Sequence, residues 1–334
     1  MTSLIDGNCH NESYNNSLHN KDKVENTIKS FSVTISTQQS CGIYGTKIFQ
    51  NARKYEIKDS KSLINLAKKL IQSRGELFIQ DDEAKISQYI QNYAIENEDI
   101  RIELAKACIQ NNPGKASQFI QNYKIKDGKT RVELAKLAAQ SDGGGTSKYV
   151  KEYGITDLGD LAEIAKLSAQ NDGGGTSKYI KEYGITDLGD LVEIAKLSAQ
   201  NDGMGTSQYI KQYEIVDENI RAHVALYACQ SSKAGVSQYI NEYEIADEST
   251  RVEVALYAAQ GFRKNFSQYI KNYRIKNQES LVMIAKVSAQ INALETSRYI
   301  KEYGITELED LVDIAKLKEF LNTFRNTALQ IRKL

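Results

Sequence analysis

Histidine and cysteine are the side chains best suited to nucleophilic, acid–base or metal chemistry, and this 334-residue chain has three of the first and four of the second. His10 and His19 lie near the start and His223 far downstream. A cysteine nucleophile needs a histidine base held by a third group. Gln39-Ser40-Cys41-Gly42 has the outline of such a nucleophile, but the histidine downstream of it, His223, sits inside a repeated segment where other copies carry an acid. Cys9, Cys41, Cys108 and Cys229 are scattered, with no metal-ligand spacing and no disulfide framework. The glycine runs at 143–145 and 173–175 follow no strand pattern and lead into no Lys-Ser/Thr, so they do not form a phosphate loop. Acidic residues recur at fixed places that suit helix caps and solvated faces. These residues predict no enzyme, no cofactor and no metal site.

What must position any functional group is the repeat. From Ser87 onward a 30-residue unit recurs eight times, opening on S-[QK]-[YF]-I-x-x-Y-x-I with few departures and closing on Ala-Gln in most copies. Such a period marks a stacked array of supersecondary units. Ser opens every copy from Ser87 to Ser297, and a second Tyr recurs from Tyr93 to Tyr303. Of the 20 tyrosines, 15 fall in the two aromatic columns, so their role is core. Ala105 to Ala315 and Gln110 to Gln290 form two further columns.

Each unit is expected to hold two helices. Ser147 is the expected N-cap of a short first helix, with Tyr149, Val150 and Tyr153 on one face. Gly154 allows a left-handed stop, which Ala94, Lys124 and Glu214 do not favour in other copies. Asp157 is the expected N-cap of a longer second helix that buries Leu158, Leu161, Ile164, Ala165 and Ser168. Asn171-Asp172-Gly173-Gly174-Gly175 ends it. The recurrent Gln is expected to satisfy a neighbour's backbone or tyrosine hydroxyl and so form a structural ladder. Helices this short are marginal alone and fold by stacking.

The fold class expected is all-α: a right-handed α-solenoid of about nine two-helix repeats with a C-terminal capping helix. Residues 1–40 are a disordered polar tail, 41–86 a degenerate N-terminal capping repeat, 87–316 the tandem array and 317–334 the capping helix. Lys plus Arg and Asp plus Glu are both 43. A neutral chain has no strong field for polyanions or anionic membranes. It has no apolar run of spanning length and no secretory signal. The expected location is the cytoplasm, or a host cell reached without a classical signal peptide.

The phrases SxYIKxYGI and IAKLxAQxDGxGT resemble tandem repeats of effector-like proteins from intracellular or amoeba-associated bacteria, over about residues 49–318. Asn171-Asp172-Gly173-Gly174 also resembles, over a few residues, the polar pair and Gly-Gly of TAL-effector-like DNA-binding repeats. A solenoid exposes a long regular surface, so the function expected is a non-enzymatic scaffold of effector type that binds a protein or peptide on that surface. The alternative is a modular nucleic-acid binder, with Lys148, Lys151, Lys178, Lys181, Lys211, Lys271 and Lys301 as phosphate contacts. Copies 147–176 and 177–206 differ only at Val150/Ile180, Ala162/Val192 and Gly174/Met204. Specificity is therefore expected in the more divergent copies between 208 and 294. The candidate partner-binding residues are Gln208, Lys211, Lys233, Gln238, Phe262, Arg263, Lys264, Gln268 and Lys271, because exposed aromatics and Arg dominate interface energetics.

Overall fold

The structure is a computed structural model that describes residues 87, 88, 90–93, 95–231, 235–261 and 266–317. The polar tail, the degenerate first repeat and the stretch from 318 onward, where the capping helix is expected, lie outside the described residues. All regular elements among the described residues are helical. The chain divides into two compact units, 1–130 and 131–334.

In the first unit, the helices Glu98–Asn111 and Pro113–Gln118 lie between the 3-10 turns Ile90–Tyr93 and Ile120–Tyr123. In the second, long helices Leu158–Asn171, Leu188–Asn201, Glu218–Gln230 and Glu248–Gln260 pack on one another in chain order, and Glu248–Gln260 packs on Gln278–Arg298. Short helices Gly143–Lys148, Gly173–Tyr179, Gly203–Tyr209 and Val236–Tyr239 alternate with them. Most of the described copies therefore pair one long and one short helix, and consecutive helices pack against their neighbours.

The short helix is phased differently from the sequence expectation. It starts at Gly143, four residues before Ser147, and the glycine run opens it instead of closing the previous helix. The residue at the joint serves both helices. Asp172 donates its backbone N–H to the Ser168 carbonyl at 2.8 Å and accepts from the Gly175 N–H on its side chain at 2.9 Å. One extended residue thus ends one helix and caps the next. Asn292 has the same conformation (φ −143°, ψ 77°) and divides Gln278–Arg298 into two helices at the equivalent place.

The glycines permit contact across repeats. A Cβ on Gly173 would stand 2.1 Å from the Ser198 carbonyl oxygen, and one on Gly205 would stand 2.6 Å from the Gly174 Cα. Beyond the short helix the chain tightens into the 3-10 turn Val150–Tyr153 and stops on Gly154 at φ 61°. This left-handed stop is general. Lys124, Glu214, Glu244 and Arg274 adopt it too, at φ 49° to 54°, so the expectation that non-glycine copies lack the cap is corrected. The same stop is therefore reached with and without glycine at this position.

The core follows the columns. Val150, Tyr153, Ile164, Ala165, Ser168 and Ala169 are buried, as are their counterparts Ile180, Tyr183, Ile194, Ala195, Ser198 and Ala199. Leu158, expected inside, is 49% exposed because it occupies the first turn beside the Asp157 cap. Asp157, Asp187, Asp217 and Asp247 cap the long helices as expected.

Candidate functional site

Ser147 is not an N-cap. Its hydroxyl donates to the Gly143 carbonyl at 2.7 Å and pairs with the Tyr183 hydroxyl of the next repeat at 2.9 Å. The same 2.9 Å bond joins Ser177 to Tyr213, Ser207 to Tyr243, Ser237 to Tyr273 and Ser267 to Tyr303. In the first unit it joins Ser87 to Tyr123. Tyr183 and Tyr213 gain a second bond, to Ser168 and Ser198. Burial pushes the hydroxyls of Tyr183 and Tyr213 up to about 12, with the serine bonds opposing it. Tyr243 and Tyr273 are raised by the same burial. These tyrosines join consecutive repeats through their hydroxyls.

The recurrent Gln does not build this ladder, contrary to expectation. Gln140, Gln170, Gln200, Gln230, Gln260 and Gln290 are all exposed. What the Gln position supplies to its neighbour is a backbone carbonyl: the Asn171 side chain donates to Gln140 O at 2.9 Å while accepting from Gly143 N–H at 2.9 Å. Asn201 repeats the clip on Gln170 and Gly173.

A second joint was not foreseen. Arg221 donates to the carbonyls of Ile215 and Val216 in its own repeat and of Tyr243 and Glu244 in the next. Arg251 does the same to Ile245, Ala246 and Arg274, and within the first unit Arg101 binds Ile95, Glu96, Tyr123 and Lys124. Beside them Glu218 accepts the N–H groups of Ala246 and Asp247, and Glu248 those of Lys276 and Asn277. These backbone donors hold the Glu248 carboxyl below its ordinary range. Bonds from the Ser249 and Thr250 hydroxyls bring Asp247 down to about 2. The signal was present in sequence as Arg at 101, 131, 221 and 251 against Leu at 161, 191, 281 and 311.

Of the predicted partner-binding residues, Gln208, Gln238 and Gln268 share one exposed column directly after the buried serines. Lys211 and Lys271 are exposed but engaged. Lys211 meets Glu244 at 2.9 Å and Glu242 at 3.1 Å, and Lys271 meets Glu302 at 2.7 Å. Lys233, Phe262, Arg263 and Lys264 lie outside the described residues. Phe266 is buried, with its ring 5.9 Å from that of Tyr273, so it packs between turns.

The lysines expected to meet phosphates are largely engaged as well. Lys151 pairs with Glu182 at 2.7 Å and Lys181 with Glu214 at 2.6 Å. Lys148 and Lys178 lie over the Tyr149 and Tyr179 rings at 5.0 and 5.3 Å. His223 is bonded through Nδ1 to Asn219 O of its own helix at 2.7 Å. Cys108 and Cys229 are buried, and burial pushes the Cys229 thiol up to about 12, far from a reactive thiolate. Among the described residues no group of three or more His, Cys, Asp or Glu could hold a metal, and no helix is long and apolar enough to cross a membrane.

Comparison with models of known protein families, with curated proteins and with solved structures gave no match.

Proposed function

We propose that this chain is a non-catalytic binding scaffold of bacterial-effector type: a right-handed α-solenoid of about nine repeats that holds a protein or peptide on its surface. The observation that carries this reading is the Ser–Tyr bond spanning 36 residues, repeated at 2.9 Å from copy to copy. Bonding restricted to the next copy is what an extended stack requires, and such stacks offer long regular surfaces. The repeated side chains are used to hold neighbours and do not converge on one reacting atom. The nucleic-acid alternative is less well supported, because Lys151, Lys181, Lys211 and Lys271 each already meet a carboxylate.

The test is affinity capture from native and host cytosol with the full chain, followed by binding measured with each purified candidate. Saturable one-to-one binding to a polypeptide, together with no retention on heparin at 150 mM salt, is the expected result. Nucleic-acid binding whose affinity falls steeply with salt would replace the reading by its alternative.

A further inference from the structure

A row of ion pairs ties the long helices of the second unit to one another, and it is interrupted in the middle. Lys136 meets Glu163 of the next long helix, 27 residues on, at 2.7 Å. Lys166 meets Glu193 at 2.5 Å and Lys286 meets Asp313 at 3.8 Å in the same register. The three junctions between them lack the pair. Lys196 has His223 at the acidic position, Glu253 has Leu226 at the basic position, and Leu256 and Met283 fill both places of the third. Lys196 lies instead 6.0 Å over the Tyr227 ring, and the Glu253 carboxylate meets no cation among the described residues.

Where the ion pairs are missing, the face is apolar. Leu197, Leu226, Tyr227 and Leu256 are partly exposed, and Tyr257 and Met283 are 43% and 44% exposed. They stand on consecutive long helices, Leu188–Asn201, Glu218–Gln230, Glu248–Gln260 and Gln278–Arg298, that pack in chain order. Within a helix the members are three or four residues apart and share a face. An exposed apolar patch with a charged border marks an interaction site.

The border charges say what covers it. The cation without a carboxylate, Lys196, is on Leu188–Asn201, and the anion without a cation, Glu253, is on Glu248–Gln260, with Glu218–Gln230 between them. A polyanion would be repelled by Glu253, and a basic segment by Lys196. A surface with opposite charges on either side of a central helix is complementary to itself turned over. A two-fold axis along Glu218–Gln230 sets Leu188–Asn201 of one copy against Glu248–Gln260 of the other, and the reverse, as an isologous interface requires. Lys196 then stands one helical turn from Glu253 of the second copy, the offset that Lys166 already spans to Glu193 within the chain. Leu197 faces Tyr257, and Leu226 and Tyr227 face their own counterparts. We infer that this patch joins two copies of the chain into a closed dimer, with the Lys196–Glu253 ion pair made twice across the axis. The inference is separate from the scaffold reading, since the ligand of this surface is the chain itself. Three helix faces supply less than a standard interface, so the dimer is reversible, with a Kd in the micromolar range.

Sedimentation equilibrium of the full chain should show monomer and dimer in exchange. Lys196→Glu sets two carboxylates together at each end of the interface, and Glu253→Lys sets two ammonium groups together. Each variant alone should dimerise at least tenfold more weakly than the parent, with unchanged helical circular dichroism. Mixed in equal amounts, the two should recover the parent's affinity as a heterodimer, because both bridges then join opposite charges. Such rescue cannot come from a misfolded chain. A parent that stays monomeric at about 100 µM, well above a micromolar Kd, overturns the inference, whether or not the patch takes up some other protein. So does a single variant that dimerises as the parent does, or a mixture no better than its components. Each of these failures leaves the scaffold reading standing.

Discussion

The twin repeats, residues 147–206, and the repeats that follow, 207–266, solve the same joining problem with different side chains. Both use the buried Ser–Tyr bond at 2.9 Å. Around it, the twins rely on close approach: Gly143 and Gly173 admit the next helix against their backbone, and Asn171 and Asn201 clip the edge. The later repeats rely on reach, with Arg221 and Arg251 holding loop carbonyls and Glu218 and Glu248 holding loop N–H groups. The interior joint is the same in both regions while the edge contacts differ. In the later repeats the edge tie is charge-assisted, and a charge-assisted bond to a carbonyl is stronger than a neutral one.

The largest expected effects concern what the two regions share. Tyr183→Ala in the twins and Tyr243→Ala in the later repeats should each cost on the order of 3 kcal/mol, as large-to-small changes in cores do. Both rings are almost fully buried and both hydroxyls are bonded. Urea denaturation of the two variants should show similar losses. Lys181→Ala, which removes an exposed ion pair to Glu214, should leave the midpoint unchanged. A tolerated Tyr243→Ala beside a damaging Tyr183→Ala would mean that arginine carries the later interface.

Raised pH probes the same column without mutation. The hydroxyls of Tyr183 and Tyr213 titrate at about 12 in the folded chain against 10.0 for the ordinary side chain. A raised folded value means that the folded state holds its proton longer. Their contribution is therefore complete below pH 10 and is lost as pH rises from 10 through 12. By linkage each such tyrosine removes about 2–3 kcal/mol across that window. Absorbance at 295 nm should show tyrosinate appearing together with loss of helical circular dichroism. Tyrosinate formed in a chain that stays fully helical would contradict the burial. Within this column Tyr183 has Ser168 as a second partner, where the residue facing Tyr243 is Ala228, so Tyr183→Phe should cost about 1 kcal/mol more than Tyr243→Phe.

The edges should separate the regions. Gly173→Ala sets a methyl against the Ser198 carbonyl and should cost about 1–3 kcal/mol by overpacking. Arg221→Ala should cost a similar amount by releasing loop carbonyls. Hydrogen exchange should then rise around 143–205 for the first and around 214–245 for the second. Exchange that rises over the whole unit in both cases would mean that the edges are not independent.

Period and pattern made the helical class, the recurring core and the Asp caps of the long helices legible in the sequence. Ile164, Ala165 and Tyr153 fell inside because burial follows helical spacing within a single copy. What was not legible depended on contacts between copies. Ser147 has the right chemistry for a cap, and nothing in its own repeat says that a tyrosine hydroxyl 36 residues on will meet it. Gly173 is an equally good terminator and opener, and the choice is made by the Ser198 backbone pressed against it. Gln170 was assigned inward because it recurs, yet recurrence alone does not distinguish a joint from a surface row. Lys211 was legible as exposed but not as paired, because Glu242 and Glu244 reach it from the next copy.

The smallest effect tests whether arginine compensates for lost glycine. Gly184 and Arg274 occupy the same left-handed stop, at φ 66° and φ 53°. A side chain in that region costs an L-residue about 1 kcal/mol, and the space around Gly184 is open, so steric contact adds nothing there. Gly184→Arg should therefore destabilise by about 1 kcal/mol, with no arginine at position 161 to hold the new residue's carbonyl. Arg274→Gly should stabilise by less, about 0.5 kcal/mol, because glycine also gains freedom in the unfolded chain. The Arg251 tie to the residue 274 carbonyl is a backbone contact and survives the change. Adding Leu161→Arg to Gly184→Arg should recover part of the loss if the clamp offsets the strained stop. Thermal midpoints of the three variants decide the matter. A Leu161→Arg change that lowers the midpoint further would show that the twins, packed by close approach, have no room for the later repeats' device.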